Sequence, residues 1–223
     1  MSSFVLKIIA IVAMFIDHIG YAIFGEFSYL NYIGRLSFPI FAFQISEGYI
    51  HTKNLKKYFL RLLLFAIISQ VPFMLFHSLL SSEFSLNIFF TLLLGLACIF
   101  IYDKLKYKSV GILFAILIGL LAEYSKCDYG FYGVAIILIF YIFKNNFVNT
   151  SIFFILATLI KYIIPYIKSG FYNVYLYLFI CTIIPIIFIA AYNGKKGKNT
   201  KYLLYLFYPI HFLIIYGVSL FLN

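Results

Sequence analysis

Tryptophan is absent from this chain, acidic side chains number only seven in 223 residues, and polar stretches long enough to form a soluble domain are missing. Charged residues make up 11% of the chain and hydrophobic ones 65%, with a mean hydropathy of +1.04. Soluble domains are roughly half apolar, so a water-filled surroundings for the whole molecule is excluded. The three cysteines, Cys98, Cys127 and Cys181, are odd in number and lack metal-ligand spacing, and two sit inside apolar runs. They are read as packing residues, and no metal site is expected. Internal repeats and low-complexity tracts are also absent. No small-residue cleavage site follows the first apolar run, which is therefore expected to stay as a first span rather than a removed signal.

What is present is a succession of apolar segments: Phe4–Phe24, Tyr32–Ile50, Tyr58–Phe76, Asn87–Tyr102, Val110–Tyr124, Gly130–Phe143, Thr150–Ile167, Tyr172–Tyr192 and Tyr202–Phe221. A spanning helix needs about 20 apolar residues. The expected fold is an all-α polytopic transmembrane helical bundle of about nine spans, with residues 1–223 forming a single transmembrane domain. In place of tryptophan, tyrosines such as Tyr32, Tyr102, Tyr124 and Tyr192 stand at segment edges as the interfacial belt. Val110–Tyr124 and Gly130–Phe143 are short, reaching only ~21–23 Å at 1.5 Å per residue. They form either two thin spans or a re-entrant hairpin.

The net charge of +10 does not point to nucleic acid, because it is sorted by side. With the N-terminus in the cytoplasm, twelve basic residues fall on the inner face: Lys53, Lys56, Lys57, Arg61, Lys104, Lys106, Lys108, Lys144, Lys195, Lys196, Lys198 and Lys201. The opposite loops carry only Lys126 and Lys168. This asymmetry follows the positive-inside rule and predicts a multi-pass protein of the cytoplasmic (inner) membrane, with the lipid bilayer as its main partner.

Against that background the intramembrane polar residues stand out. Asp17 and His18 follow nine residues, Ile8 to Ile16, without a polar side chain. An ionisable group at such depth costs roughly 2.5–3.5 kcal/mol by insertion scales, so the pair must face protein, water or each other. Arg35, Asn87, Thr91, Asp128 and Tyr129 are expected at a similar, outer level. Neighbours on a helix diverge by about 100°, so Asp17 is expected to pair with Arg35 and leave His18 pointing into an internal space, with Asp128 a candidate partner for it. An inner layer gathers Glu47 and His51, four residues apart on one helix face, with Lys53, Lys57, Arg61, Asn193, Lys195, Lys196, Tyr208 and His211. Rich in cations, it suits a phosphate-bearing ligand. Each group also has an architectural alternative: an ion pair that only ties helices, a packing histidine, lysines that only set topology.

The chain resembles the TraX family, integral-membrane acetylases of the N-terminus of conjugative pilin. The matching stretches are Leu6-Lys7-Ile8-Ile9-Ala10, Ile16-Asp17-His18-Ile19-Gly20, Gly34-Arg35-Leu36-Ser37-Phe38-Pro39, Glu47-Gly48, His51-Thr52-Lys53-Asn54, Ser69-Gln70-Val71-Pro72-Phe73, Asp128-Tyr129-Gly130, Tyr192-Asn193-Gly194 and Phe207-Tyr208-Pro209-Ile210-His211. Residues 7–48 more distantly resemble the start of acyltransferase-3-type transmembrane acyltransferases. The resemblance implies an acetyl-CoA-dependent acyltransferase acting on an acceptor outside the membrane, a pilin-like peptide N-terminus, an extracytoplasmic glycan or a wall component. On that expectation Lys53, Lys57, Arg61, Lys195 and Lys196, with Glu47, His51, Asn193, Tyr208 and His211, hold the donor. His18 is the general base, and Arg35 or the Asn87 amide steadies the oxyanion. The rival class is a secondary transporter, since intramembrane charges also mark transport paths. However, the ionisable residues crowd into the first 61 positions with no mirrored second half. A passive assembly protein would not need charges inside its spans.

Overall fold

A computed structural model describes residues 1–24, 27–198 and 202–222; Lys201 of the inner basic set lies outside them. Among the described residues the chain forms eleven helices: α1 (Ser3–Phe24), α2 (Tyr29–Gly34), α3 (Ser37–His51), α4 (Leu55–His77), α5 (Ile88–Lys104), α6 (Lys108–Tyr124), α7 (Gly130–Ile142), α8 (Phe147–Lys168), α9 (Val174–Ile183), α10 (Pro185–Ala190) and α11 (Leu203–Leu222). The β-type pairing among these residues is one isolated bridge, Leu86 to Cys127. α1, α4 and α8 are long and apolar enough to cross a membrane, and Gly130–Ile142, Val174–Ala190 and Tyr205–Phe221 are shorter apolar helices. The molecule is an all-helical membrane protein.

All nine apolar segments of the sequence are helical, but two are broken. The second divides into α2 and α3 at Arg35, four residues before Pro39. A proline ring clashes with the carbonyl four residues back, which here is that of Arg35. Pro39 itself sits in the first turn of α3, where its missing N–H has no helical partner to lose. Ser28 opens α2: its N–H and hydroxyl both donate to Asn31 Oδ1, at 2.6 and 2.9 Å. The eighth segment breaks at Ile184, where Pro185 starts α10.

The chain divides into two compact units, Met1–Phe41 with Ser69–Glu83 and Thr158–Asn223, and Ala42–Ile68 with Phe84–Ala157. In the first, α1 buries Leu6, Ala10, Ala13, Met14, Asp17 and Gly20 along one stripe at three-to-four-residue spacing. α1 packs against α2 and α11. The approach to α2 is close because of two glycines. A Cβ on Gly20 would stand 2.9 Å from Leu30 Cβ, and one on Gly34 2.2 Å from Asp17 Oδ1. In the second unit α5, α6 and α7 pack on one another. There Gly95 lies under Ile137, Gly111 under Tyr102 and Gly119 under Phe131, the small-residue contacts typical of membrane helices. On α6, Leu113, Ile116, Leu117, Leu120 and Leu121 are exposed. An apolar face of that extent fits lipid rather than water.

Candidate functional site

The first unit concentrates its buried charge where α1 meets α2. Arg35, at the α2 C-cap, donates through Nη2 to both Asp17 oxygens, at 3.1 Å (Oδ1) and 3.3 Å (Oδ2), and through Nε to the Asn31 carbonyl at 3.2 Å. Asn31, fully buried, donates from Nδ2 to the Asp17 carbonyl at 2.9 Å and to Oδ1 at 3.0 Å. The expected Asp17–Arg35 pair is therefore present, with Asn31 as a third member. Its position depends on the helix break, which puts Arg35 at a helix end facing α1 rather than midway along a span. Gly34 leaves the space that the Asp17 carboxylate fills.

His18 lies beside this pair without a hydrogen bond to it. Its Nε2 lies 4.0 Å from Asp17 Oδ2, beyond hydrogen-bond distance. Its Nδ1 lies 2.8 Å from His211 Nε2 on α11, 193 residues away in the chain. The two imidazoles are within 16° of parallel, and Phe76 and Phe212 complete the walls around His18, with centroids at 5.2 and 4.6 Å. His211 Nδ1 meets the Phe207 carbonyl at 3.0 Å, one turn back on its own helix. Only 1% of His211 is exposed, and Phe207, Tyr208 and Phe212 pack around its ring.

Several assignments change. His211 stands beside His18 rather than apart from it in a separate layer: it lies midway along α11, and depth counted from helix ends does not reveal which residues meet. Tyr208, 2% exposed, packs against His211 and Phe212 and belongs with the same group. The hydrogen-bond partner of His18 is His211, in place of Asp128. Asp128 sits in the second unit, in the loop before α7, where its N–H donates to the Leu86 carbonyl at 2.8 Å and its carbonyl accepts from the Thr91 hydroxyl. The Asn87 amide is the N-cap of α5, accepting from Phe89 N–H at 3.0 Å and donating to the Ala66 carbonyl at 2.8 Å. A polar residue at the start of an apolar helix is most often such a cap.

The remaining inner-layer residues fall into both units. In the second, Glu47 Oε2 and His51 Nε2 are 3.4 Å apart across one turn of α3. Lys53 and Lys57 are exposed around the start of α4, where Asn54 accepts from Lys57 N–H at 2.9 Å. Arg61 lies over the Tyr58 ring, 5.3 Å from its centroid. In the first, Lys195 and Lys196 are exposed on a strap whose carbonyls accept from Ser3 and Phe4 N–H, at 2.8 and 3.1 Å. The Asn193 side chain accepts from Lys195 N–H at 3.1 Å, shaping that turn. Exposed ammonium groups on a held backbone are chemically suited to phosphate oxygens.

Sequence reasoning missed three features. Asn31 was invisible because its role depends on the α1–α2 crossing. Asp103 accepts from Tyr49 Oη at 2.8 Å and Tyr141 Oη at 2.5 Å, drawing α3, α5 and α7 together; singly, these tyrosines look like interfacial ones. Ser69 on α4 is fully buried with no hydrogen-bond partner for its hydroxyl among the described residues. The one clue was its place in the polar Ser69-Gln70 step before Pro72.

The family described as "TraX protein" matches residues 2–219. The "Probable fimbrial assembly protein FimC, serogroup H1" of Dichelobacter nodosus is 30% identical over 254 aligned positions, covering 100% of this chain and 97% of that protein. An uncharacterized protein of Rickettsia prowazekii (strain Madrid E) is 24% identical, covering 89% of this chain and 83% of that protein. No solved structure matches. The chain belongs to the TraX family.

Proposed function

We propose that this protein is an acetyltransferase of the cytoplasmic membrane, spanning it nine times with the N-terminus inside. It would move an acetyl group from cytoplasmic acetyl-CoA to an amine or hydroxyl acceptor at the outer side. Membership of a family associated with pilin acetylation supports this, as does a relative named for fimbrial assembly. The acceptor class those facts favour is a pilin-like peptide N-terminus, with an extracytoplasmic glycan or wall component as the other candidates. The basic residues gathered on one side of the segments support the orientation.

The observation that carries the chemistry is the setting of His18. Its Nε2 lies 4.0 Å from the Asp17 carboxylate, which Arg35 Nη2 contacts at 3.1 Å. The neutral imidazole takes the proton of the acceptor as that nitrogen or oxygen attacks the thioester carbonyl. The acceptor–carbon bond forms, the carbon–sulfur bond breaks, and the thiolate leaves and is protonated by the imidazolium to give free CoA. While the ring is charged, Asp17 stabilises it through space. Arg35, the cation of the cluster, is the candidate for steadying charge on the carbonyl oxygen. The candidates for the donor phosphates are Lys53, Lys57 and Arg61 around the start of α4 or, separately, Lys195 and Lys196 on the strap beside α1.

Membranes containing the protein, incubated with isotopically labelled acetyl-CoA, test this by mass spectrometry of surface peptides and glycans and by release of free CoA. The expected result is a labelled acetyl group on one acceptor class, absent from membranes without the protein. Acceptor-independent proton uptake coupled to solute movement, with no acetyl transfer, would replace this function with transport.

A further inference from the structure

We infer that His211 is a positioning residue which fixes the tautomer of His18; this deepens the proposal that His18 is the base and rests on it. The chain of hydrogen bonds has only one consistent direction. The Phe207 carbonyl can only accept, so His211 Nδ1, 3.0 Å from it, carries the hydrogen. A neutral imidazole has one N–H, which leaves His211 Nε2 as a bare acceptor. The 2.8 Å contact to His18 Nδ1 then places the His18 hydrogen on Nδ1. His18 Nε2 is left with its lone pair, on the edge of the ring turned towards Asp17. The reverse order would set the bare nitrogen of His211 against a carbonyl oxygen, two lone pairs in contact.

The acceptor is also held in place. The Phe207 ring lies within 6° of parallel to His211, and the Phe212 centroid is 4.2 Å away. Between Phe207 and His211 stands Pro209, inside α11. Without an N–H it cannot bond the Tyr205 carbonyl, which loosens that turn where the His211 ring folds back onto Phe207. Within this stretch Phe207 supplies the carbonyl, Pro209 the loosened turn, and His211 the imidazole that reaches His18. An oriented partner that selects one imidazole tautomer is a known requirement for a histidine base.

Side-chain ¹⁵N NMR of the full-length protein in nanodiscs, with the four histidines assigned by single substitutions, reads the tautomer without turnover. The wild type is expected to show His18 with a protonated Nδ1 and an unprotonated Nε2. His211→Phe keeps the aromatic packing but removes the acceptor; it is expected to shift His18 towards the Nε2–H form. It should also lower kcat by at least about tenfold with KM for acetyl-CoA unchanged. His211→Gln, whose amide oxygen can accept from Nδ1–H, is expected to restore the wild-type tautomer. A wild-type His18 protonated on Nε2, or an unchanged tautomer in His211→Phe, overturns the inference. Should His211→Phe fail to fold, the wild-type spectrum alone still decides. Because the tautomer is read independently of activity, absence of acetyl transfer with the Nδ1–H tautomer in place would fault the proposed function and not this inference.

Discussion

Asp17 in the first compact unit and Asp103 in the second both have their carboxylates bound by other helices, and the two are satisfied in opposite ways. Asp103 is closed by neutral donors, the hydroxyls of Tyr49 and Tyr141, on rings that stand nearly perpendicular at 5.3 Å. Lys108 meanwhile caps the end of α5 through the carbonyls of Tyr102, Asp103 and Leu105. Both carboxylate oxygens are spent on holding three helices. Asp17 is held by a cation and an amide, Arg35 and Asn31, and has beside it an imidazole whose Nε2 makes no hydrogen bond among the described residues. The Asp103 oxygens are used up in packing three helices, whereas Asp17 lies beside the ring edge of the proposed base.

The comparison breaks most visibly at the charges. Asp17→Asn leaves the Arg35 guanidinium without its counter-charge in a part-buried site, and a loss of about 3–5 kcal/mol is expected, read as thermal unfolding in detergent. Arg35→Met added to Asp17→Asn should recover most of it. Recovery of none would mean that Asn31, not the ion pair, holds α1 and α2 together. Next come the glycines. Gly34→Ala would push a methyl group to within 2.2 Å of Asp17 Oδ1, and Gly95→Ala one to 2.3 Å of Ile137 Cδ1. Overpacking costs about 1–3 kcal/mol. Gly34→Ala is expected at the upper end with loss of acetyl transfer, because it displaces the carboxylate. Gly95→Ala should sit at the lower end with activity kept, because the tip of an isoleucine side chain can turn.

Smaller again is Tyr141→Phe, expected to cost about 1.5–3 kcal/mol, as for a hydrogen bond to a charged group, without changing turnover. The bond from Tyr141 holds the Asp103 carboxyl below its ordinary value of 3.8. Its stabilisation is therefore complete above pH 3.8 and lost as the pH falls through the depressed folded value. In Tyr141→Phe this acid limb of the stability curve should flatten; an unchanged limb would show that the bond does not govern Asp103. The smallest effect belongs to Ser69→Ala. Removing a buried hydroxyl that has no partner among the described residues should leave stability unchanged or raise it by up to about 1 kcal/mol, and a clear loss would reveal a partner for that hydroxyl.

The helices were legible in the sequence because long apolar runs have few other solutions. The Asp17–Arg35 pair was legible too, since both residues could be placed at one depth by counting along spans. The α2–α3 break was written in the Arg35-to-Pro39 spacing, but a continuous apolar run concealed it. His211 escaped because counting from helix ends placed it with Tyr208 near the lysines, while its rotation about α11 and the packing against α1 decide its neighbour. The cap that Asn87 makes on α5 was legible only as an amide at the start of an apolar run. Asp103 was under-read, since its partners lie on two other helices and only their relative rotation brings them together.

The central claim is that His18, and not the closed Asp103 cluster, does the chemistry. Acetyl-CoA-dependent acetyl transfer by wild type, His18→Ala and Tyr141→Phe, each purified and shown to be folded, tests it most directly. The account expects His18→Ala to fall by roughly 10²–10⁴-fold while Tyr141→Phe stays at the wild-type rate. A wild-type rate in His18→Ala would contradict it.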